Sequence, residues 1–285
     1  MSYRSGNMPD MDDHNLHRWR EQAREHGIPE PDIDQWLDLA RPHLTLHKAQ
    51  DDPAAADAPI VGYRGGHPSL PPDAEWSEGY DFIASIDCAA LPSDLPGFPL
   101  PKDGHLLFFH TDDGLQSVNL GYDGRVLYVP AGTATVERPG PTNGLDEAPH
   151  RAAEPERFPL QCWPHWDPPN LECHGDFGSP DRFIELMPKG FPELLLHLED
   201  PRPAYARDNE AMVLGGYCRM ESDACGGATY TDPEHKRWRL LASAYRDIRD
   251  GRDDVPFLVH WIIREDHLAE QVFNHVKTYS WCLWA

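Results

Sequence analysis

The chain has 285 residues, 48 of them acidic and 25 basic, for a net charge of −23. Such a surface repels phosphate, which excludes nucleic acid and anionic membranes as ordinary partners. No apolar run approaches the roughly 20 residues of a membrane span, while 40% hydrophobic residues, with 9 Trp, 10 Tyr and 10 Phe, suffice for a sizeable core.

Residues 1–13 are polar and acidic, without the basic-then-apolar order of a secretory signal. Disorder and a cytoplasmic location are expected. Between Asn15 and His26 only Leu16, Trp19 and Ala23 share a side, which predicts a weakly amphipathic helix. A second helix is predicted over 31–41: Pro31 suits a first helical position, and Ile33, Trp36, Leu37 and Ala40 fall on one face. These N-terminal helices, within 1–45, are expected to cap the outside of a single domain over 46–285. Leu44 and Leu46 alternate as a short strand does. Gly65-Gly66-His67-Pro68 then forms a glycine turn followed by an extended proline track. Phe82 to Asp87 alternates as a half-buried strand, and Leu91-Pro92 stops it. Asp113-Gly114 and Asp123-Gly124 predict hairpin turns in a meander over about 105–110, 116–121 and 125–130.

Composition changes at about 131–180, a proline-rich insert whose prolines oppose long helices and most strand pairing. Its second half, with Trp163, His165, Trp166 and Phe177, is expected to pack down. Short helices are predicted at 181–187 and 192–198. Strands follow over 212–220, broken by Gly215-Gly216, and over 237–245, 256–263 and 277–284, with a helix at 266–276. The pair 82–87 and 106–109 echoes the pair 238–245 and 257–263. The fold class expected is α+β, mainly antiparallel β, with two related β units.

The order Gly65-Gly66-x-Pro68-x-Leu70-Pro71, Trp76, Phe82-Ile83-Ala84-x-Ile86-Asp87 and Leu91-Pro92 resembles the YwqG-like family of bacterial proteins. Leu100-Pro101, Gly104 and Leu107-Phe108-Phe109 continue the likeness. Leu214-Gly215-Gly216-Tyr217, Trp238 to Leu241, Val259 to Ile263, Asp266-His267-Leu268 and Phe273 are similar to its second half. The resemblance covers roughly 33–130 and 205–285, and implies an α+β fold with internal duplication. It implies no activity. Ser85 and Ala242 replace glutamines usual in that family, and its Trp-Gly-Asp segment has no counterpart near 250–254.

The chemical motifs are sparse. Gly65 and Gly66 have amides that can cradle an anion, but Pro68, Pro71 and Pro72 leave no following helix. A structural turn is the alternative. Asp87 could pair with Arg64 beside Trp76 and line a pocket, or cap the next turn. Arg64, Gly65, Gly66, Trp76 and Asp87 are therefore the candidate binding residues. Cys162, His165, Cys173 and His174 carry zinc-ligand chemistry, but adjacent ligands aim poorly at one tetrahedral centre, so no metal is expected. The six cysteines contain no C-x-x-C pair and read as reduced, mostly buried thiols. No nucleophile elbow, metalloprotease helix, phosphate loop or dinucleotide fingerprint occurs, so neither catalytic residues nor cofactors are expected. Two readings follow. One is a non-catalytic binding module, immunity-like, engaging a basic protein partner. The other is an enzyme or small-ligand binder with a cleft between the two β units.

Overall fold

The computed structural model describes residues 14–49, 59–76, 80–111, 122–123, 125–140, 156–169, 183–185, 187, 210–218, 224–234, 236–249 and 254–282. Helices α1 (His14–Glu25) and α2 (Glu30–Leu37) precede strands β1 (Arg41–Lys48), β2 (Ile60–Arg64), β3 (Ser69–Leu70) and β4 (Tyr80–Asp87). A 3₁₀ turn (Cys88–Ala90) leads to β5 (His105–Thr111), β6 (Tyr122–Asp123), β7 (Arg125–Val129), β8 (Val136–Glu137) and β9 (Phe158–Asp167). Then come β10 (Glu210–Gly215), α3 (Ala224–Thr231), β11 (Trp238–Arg249) and β12 (Asp254–Arg264). Helix α4 (Glu265–Ala269), a 3₁₀ turn (Phe273–His275) and β13 (Lys277–Cys282) complete the described order.

Eleven strands form one sheet, ordered β6-β13-β12-β11-β10-β1-β9-β2-β4-β5-β7, and every pairing is antiparallel. The two edge strands, β6 and β7, are neighbours in sequence, so the sheet curls until its edges almost meet. Trp261 on β12 packs edge-on against Phe108 on β5, with centroids 5.5 Å apart. Its indole N–H also donates to Phe109 O at 2.9 Å. His110 Nε2 and Ser280 Oγ lie 2.7 Å apart across the same gap. These contacts join strands far apart in the order and define the concave face. Its core holds Leu44, Leu46, Leu160, Cys162, Ile86, Leu106, Met212, Val259 and Trp261. Leu91, Leu95, Phe98, Leu268 and Phe273 pack into that core from outside the strands.

Several expectations are corrected. The predicted meander is not one: β5 pairs directly with β7, Leu107 opposite Leu127. Residues 116–121 lie outside those described, and Asp123 ends a strand paired with β13, not a hairpin arm. Within the insert, residues 158–167 form a central strand despite Pro159 and Pro164. Pro159 lies just beyond the β1 ladder and accepts from Ala49 N at 2.9 Å through its carbonyl, while Pro164 lies beyond the end of β2. The β1 ladder begins at Leu160, and β2 pairs only with 158–161, leaving Pro164 one partner strand. The helix predicted at 266–276 breaks after Ala269, because Gln271 takes a left-handed φ of 57°. The predicted 31–41 helix ends at Leu37, and β1 begins at Arg41. Of the helix at 181–187, residues 183–185 are helical; the one at 192–198 lies outside the described residues, as does 1–13.

On the convex face, α1 and α2 bring Trp19, Ala23, Ile33 and Trp36 together with Phe183 and Tyr217. Helix α3 sets Cys225 and Ala228 on Val213, Leu240 and Ile262. The turn after α3 is built on Asp232. Its carboxylate accepts from Glu234 N at 2.9 Å, Lys236 N at 3.3 Å and Trp238 Nε1 at 2.9 Å. Burial alone would raise its pKa. The three donors and the charge of Arg264 more than offset that and hold it below the ordinary value. A lowered folded-state pKa stabilises the fold above the unfolded value of about 3.9, and this is lost as pH falls through the folded value. Asp232→Ala should cost about 1–3 kcal/mol at pH 7, since the buried indole N–H loses its acceptor. Urea midpoints measured from pH 7 downwards should show the gap between wild type and variant closing in acid; a gap constant with pH would refute the assignment.

Among the described residues, no helix is long and apolar enough to cross a membrane.

Candidate functional site

The residues expected to gather around the glycine turn do not assemble. Arg64, at the end of β2, donates through its guanidinium to Ala211 O. That carbonyl lies where the β1–β10 register slips between Leu46 and His47, so Arg64 partners a backbone oxygen beside the irregularity. Arg64 lies opposite Ala84, three residues along β4 from Asp87, roughly 10 Å at strand spacing. Asp87 instead caps the 3₁₀ turn, its carboxylate accepting from Ala89 N at 3.0 Å. Gly65 and Gly66 both take left-handed φ, 72° and 69°, and a Cβ on Gly66 would lie 2.9 Å from Arg157 Cβ. This is a turn that requires glycine. Trp76 donates to Tyr80 O at 2.8 Å and packs edge-on against Phe109 at 5.5 Å, on the convex face.

The zinc-like set is not brought together either. Cys162 belongs to the concave core, whereas His165 faces the other way and stacks on His43. Cys173 and His174 lie outside the described residues. Among those described, no group of three or more His, Cys, Asp or Glu is arranged to hold a metal ion. Cys88, Cys162, Cys218 and Cys225 are buried. Burial pushes the Cys88 thiol up to about 12, with the Asp87 and Asp103 carboxylates adding to the shift. Burial alone raises Cys162. A thiol held protonated is a poor nucleophile.

A pocket of about 420 Å³ lies where the segment after the 3₁₀ turn crosses the linker between α4 and the second 3₁₀ turn. It is lined by residues 88–89, 91–96 and 98–102 and by Gln271. The size falls in the range of small-molecule and anchor-residue sites. Leu91, Leu95 and Phe98 are buried and form its floor. Pro92, Pro96, Pro99 and Pro101 stiffen its wall and supply no N–H donors. Asp94 and Lys102 stand exposed at its rim. Gln271 is the one non-glycine with a left-handed φ among the described residues, and its side-chain amide donates to Leu100 O at 3.3 Å. That φ belongs to the cap that ends α4, with Val272 N donating to His267 O at 2.8 Å and Gln271 N to Leu268 O at 3.1 Å. The proline spacing was visible in sequence; the partnership with Gln271 was not, because nothing in a Glu-Gln-Val run signals a φ above zero.

A second polar group occupies the convex face. His43, Thr45, His47, Gln161, His165, Asp167, Ser243 and His260 are all buried. His43 Nδ1 lies 3.4 Å from Asp167 Oδ2, which also accepts from Tyr217 N at 3.1 Å. His43 stacks on His165 with centroids 4.6 Å apart, and the Arg41 guanidinium lies 3.9 Å over the Tyr217 ring. Among the described residues, His43 Nε2 and Thr45 Oγ1 have no hydrogen-bond partner. The alternation of β1 alone did not reveal this group, because Arg, His, Thr and His at alternate positions read as a solvated face.

A comparison with curated proteins finds no match to the chain. The family model described as "Domain of unknown function (DUF1963)" matches residues 64–282, and the chain belongs to that family.

Proposed function

We propose that this member of the DUF1963 family is a non-catalytic binding module that engages a basic protein partner, with the pocket at 88–102 and Gln271 as its recognition site. The observation that carries the reading is that pocket: apolar floor, stiff proline wall, exposed charged rim, and a nearby thiol too firmly protonated for nucleophilic work. The net charge of −23 favours a basic partner, since a field of one sign steers a cationic surface towards the protein. The finer YwqG-like membership, a cytoplasmic location and a capping role for α1 and α2 belong to the same proposal.

Internal duplication supports a pocket placed between two β units. The sheet order mirrors itself about β1 and β9, so β10, β11 and β12 stand opposite β2, β4 and β5. Both long hairpins also slip register at like places, between Phe82 and Ala84 and between Leu240 and Ala242. Gln271, from the second unit, reaches the loop of the first. The pocket volume also favours a second reading, a small-ligand binder using the same cleft.

The test is recovery of partners from the native cell, with native mass measurement of the purified chain. A co-purifying protein of basic isoelectric point is expected, whose association rate falls at least about ten-fold as salt is raised. A stoichiometric small molecule with no protein partner would establish the second reading. Saturable binding to DNA or RNA at moderate salt would refute the first.

A further inference from the structure

We infer that the pocket takes an arginine side chain presented by the partner, its aliphatic stem on Leu91, Leu95 and Phe98 and its guanidinium at the Asp94 rim. This deepens the binding reading above and rests on it. The floor asks for an apolar body. Four wall residues are prolines, so the main chain there presents few N–H donors to oppose a donor-rich head group. Charge decides the sign. Asp94 stands on the rim, and Asp87 and Asp103 lie close enough to Cys88 to act on its thiol, against Lys102 on the rim and Arg239, whose guanidinium donates to Gly97 O in the same loop and faces Glu265 at 3.6 Å. The field of the whole chain has the same sign. Arginine fits better than lysine because its planar guanidinium is more weakly hydrated and stacks on flat surfaces such as proline rings.

The probe is N-acetyl-arginine methylamide, compared with its citrulline and norleucine counterparts in amide-resolved NMR titrations. Saturable shifts confined to 88–102 and 271 are expected, with a Kd of about millimolar for so small a ligand. Asp94→Asn should weaken binding about five-fold. Lys102→Gln should tighten it about two-fold, because it removes a like charge. Both residues are exposed, so both variants should keep the wild-type melting temperature. Weaker binding on Lys102→Gln would mean an anionic or zwitterionic ligand and would overturn the inference. So would citrulline or norleucine binding as tightly as arginine, or shifts located elsewhere. Ala89→Phe, which fills the mouth from an exposed position, separates the two levels. If a basic partner still binds Ala89→Phe and Asp94→Asn undiminished, the arginine assignment falls and the binding module stands. If the arginine probe behaves as stated but no basic partner is recovered, the assignment stands and the partner reading falls.

Discussion

Gly216→Ala is expected to lower the unfolding free energy by about 2–5 kcal/mol. Gly216 has φ +73°, a region that costs a non-glycine residue about 1–2 kcal/mol. The space is closed as well. A Cβ there would lie 2.5 Å from His43 Nδ1 and 2.9 Å from Asp167 Oδ2. Neither neighbour can give way freely, since Asp167 is held by Tyr217 N and His43 is stacked on His165. Overpacking of this sort adds about 1–3 kcal/mol. Gly132 is the internal control: φ is +78° but nothing lies within 4 Å of an added Cβ. Gly132→Ala should therefore show the conformational cost alone. Equal losses for the two variants in urea denaturation would show that packing around the His43–Asp167 pair contributes nothing.

Trp261→Ala should cost about 3–5 kcal/mol, the range for a buried aromatic truncated to alanine. Trp261 is fully buried and spans the gap between the two ends of the curled sheet. Trp261→Phe keeps most of the ring contact with Phe108 but leaves Phe109 O without its indole donor, so about 1–3 kcal/mol is expected. The order wild type, Phe, Ala should hold in equilibrium unfolding. A Trp261→Ala protein as stable as the Phe variant would show that the two halves of the sheet do not lean on each other there.

The readable part of the fold was the part with period. Phe257 to Ile263, Leu106 to Phe109 and Ile33 to Leu37 each present a clean apolar pattern, and each became the expected element. The centre of the sheet was harder. β1 carries Arg41, His43, Thr45 and His47 on its convex face, all buried, and such residues imitate a surface strand. β9 contains Pro159 and Pro164, which oppose a strand by local rules; Pro164 has a partner strand on one side only, and Pro159 takes part through its carbonyl, which accepts from Ala49 N. That is tertiary information, absent from any window of sequence. The same holds for the sites. The Gly65-Gly66 turn was legible as a backbone device, and its left-handed φ angles agree with that reading. Asp87 took the capping alternative rather than the Arg64 pair. The His43–Asp167 pair is 124 residues apart in sequence, and Gln271 reaches Leu100 across 171, so neither carries a spacing that could be read.

The near-closure of the sheet also sets a tempo. β1 is inserted between β9 and β10, and β6 must find β13, so the central ladders all join segments distant along the chain. Such topologies close long loops before any contact rewards them and assemble in milliseconds to seconds, not microseconds. During that interval the rows of N–H and C=O groups on β7, β6 and their neighbours stand open, and open edges recruit other chains. Refolding yield will therefore fall as protein concentration rises.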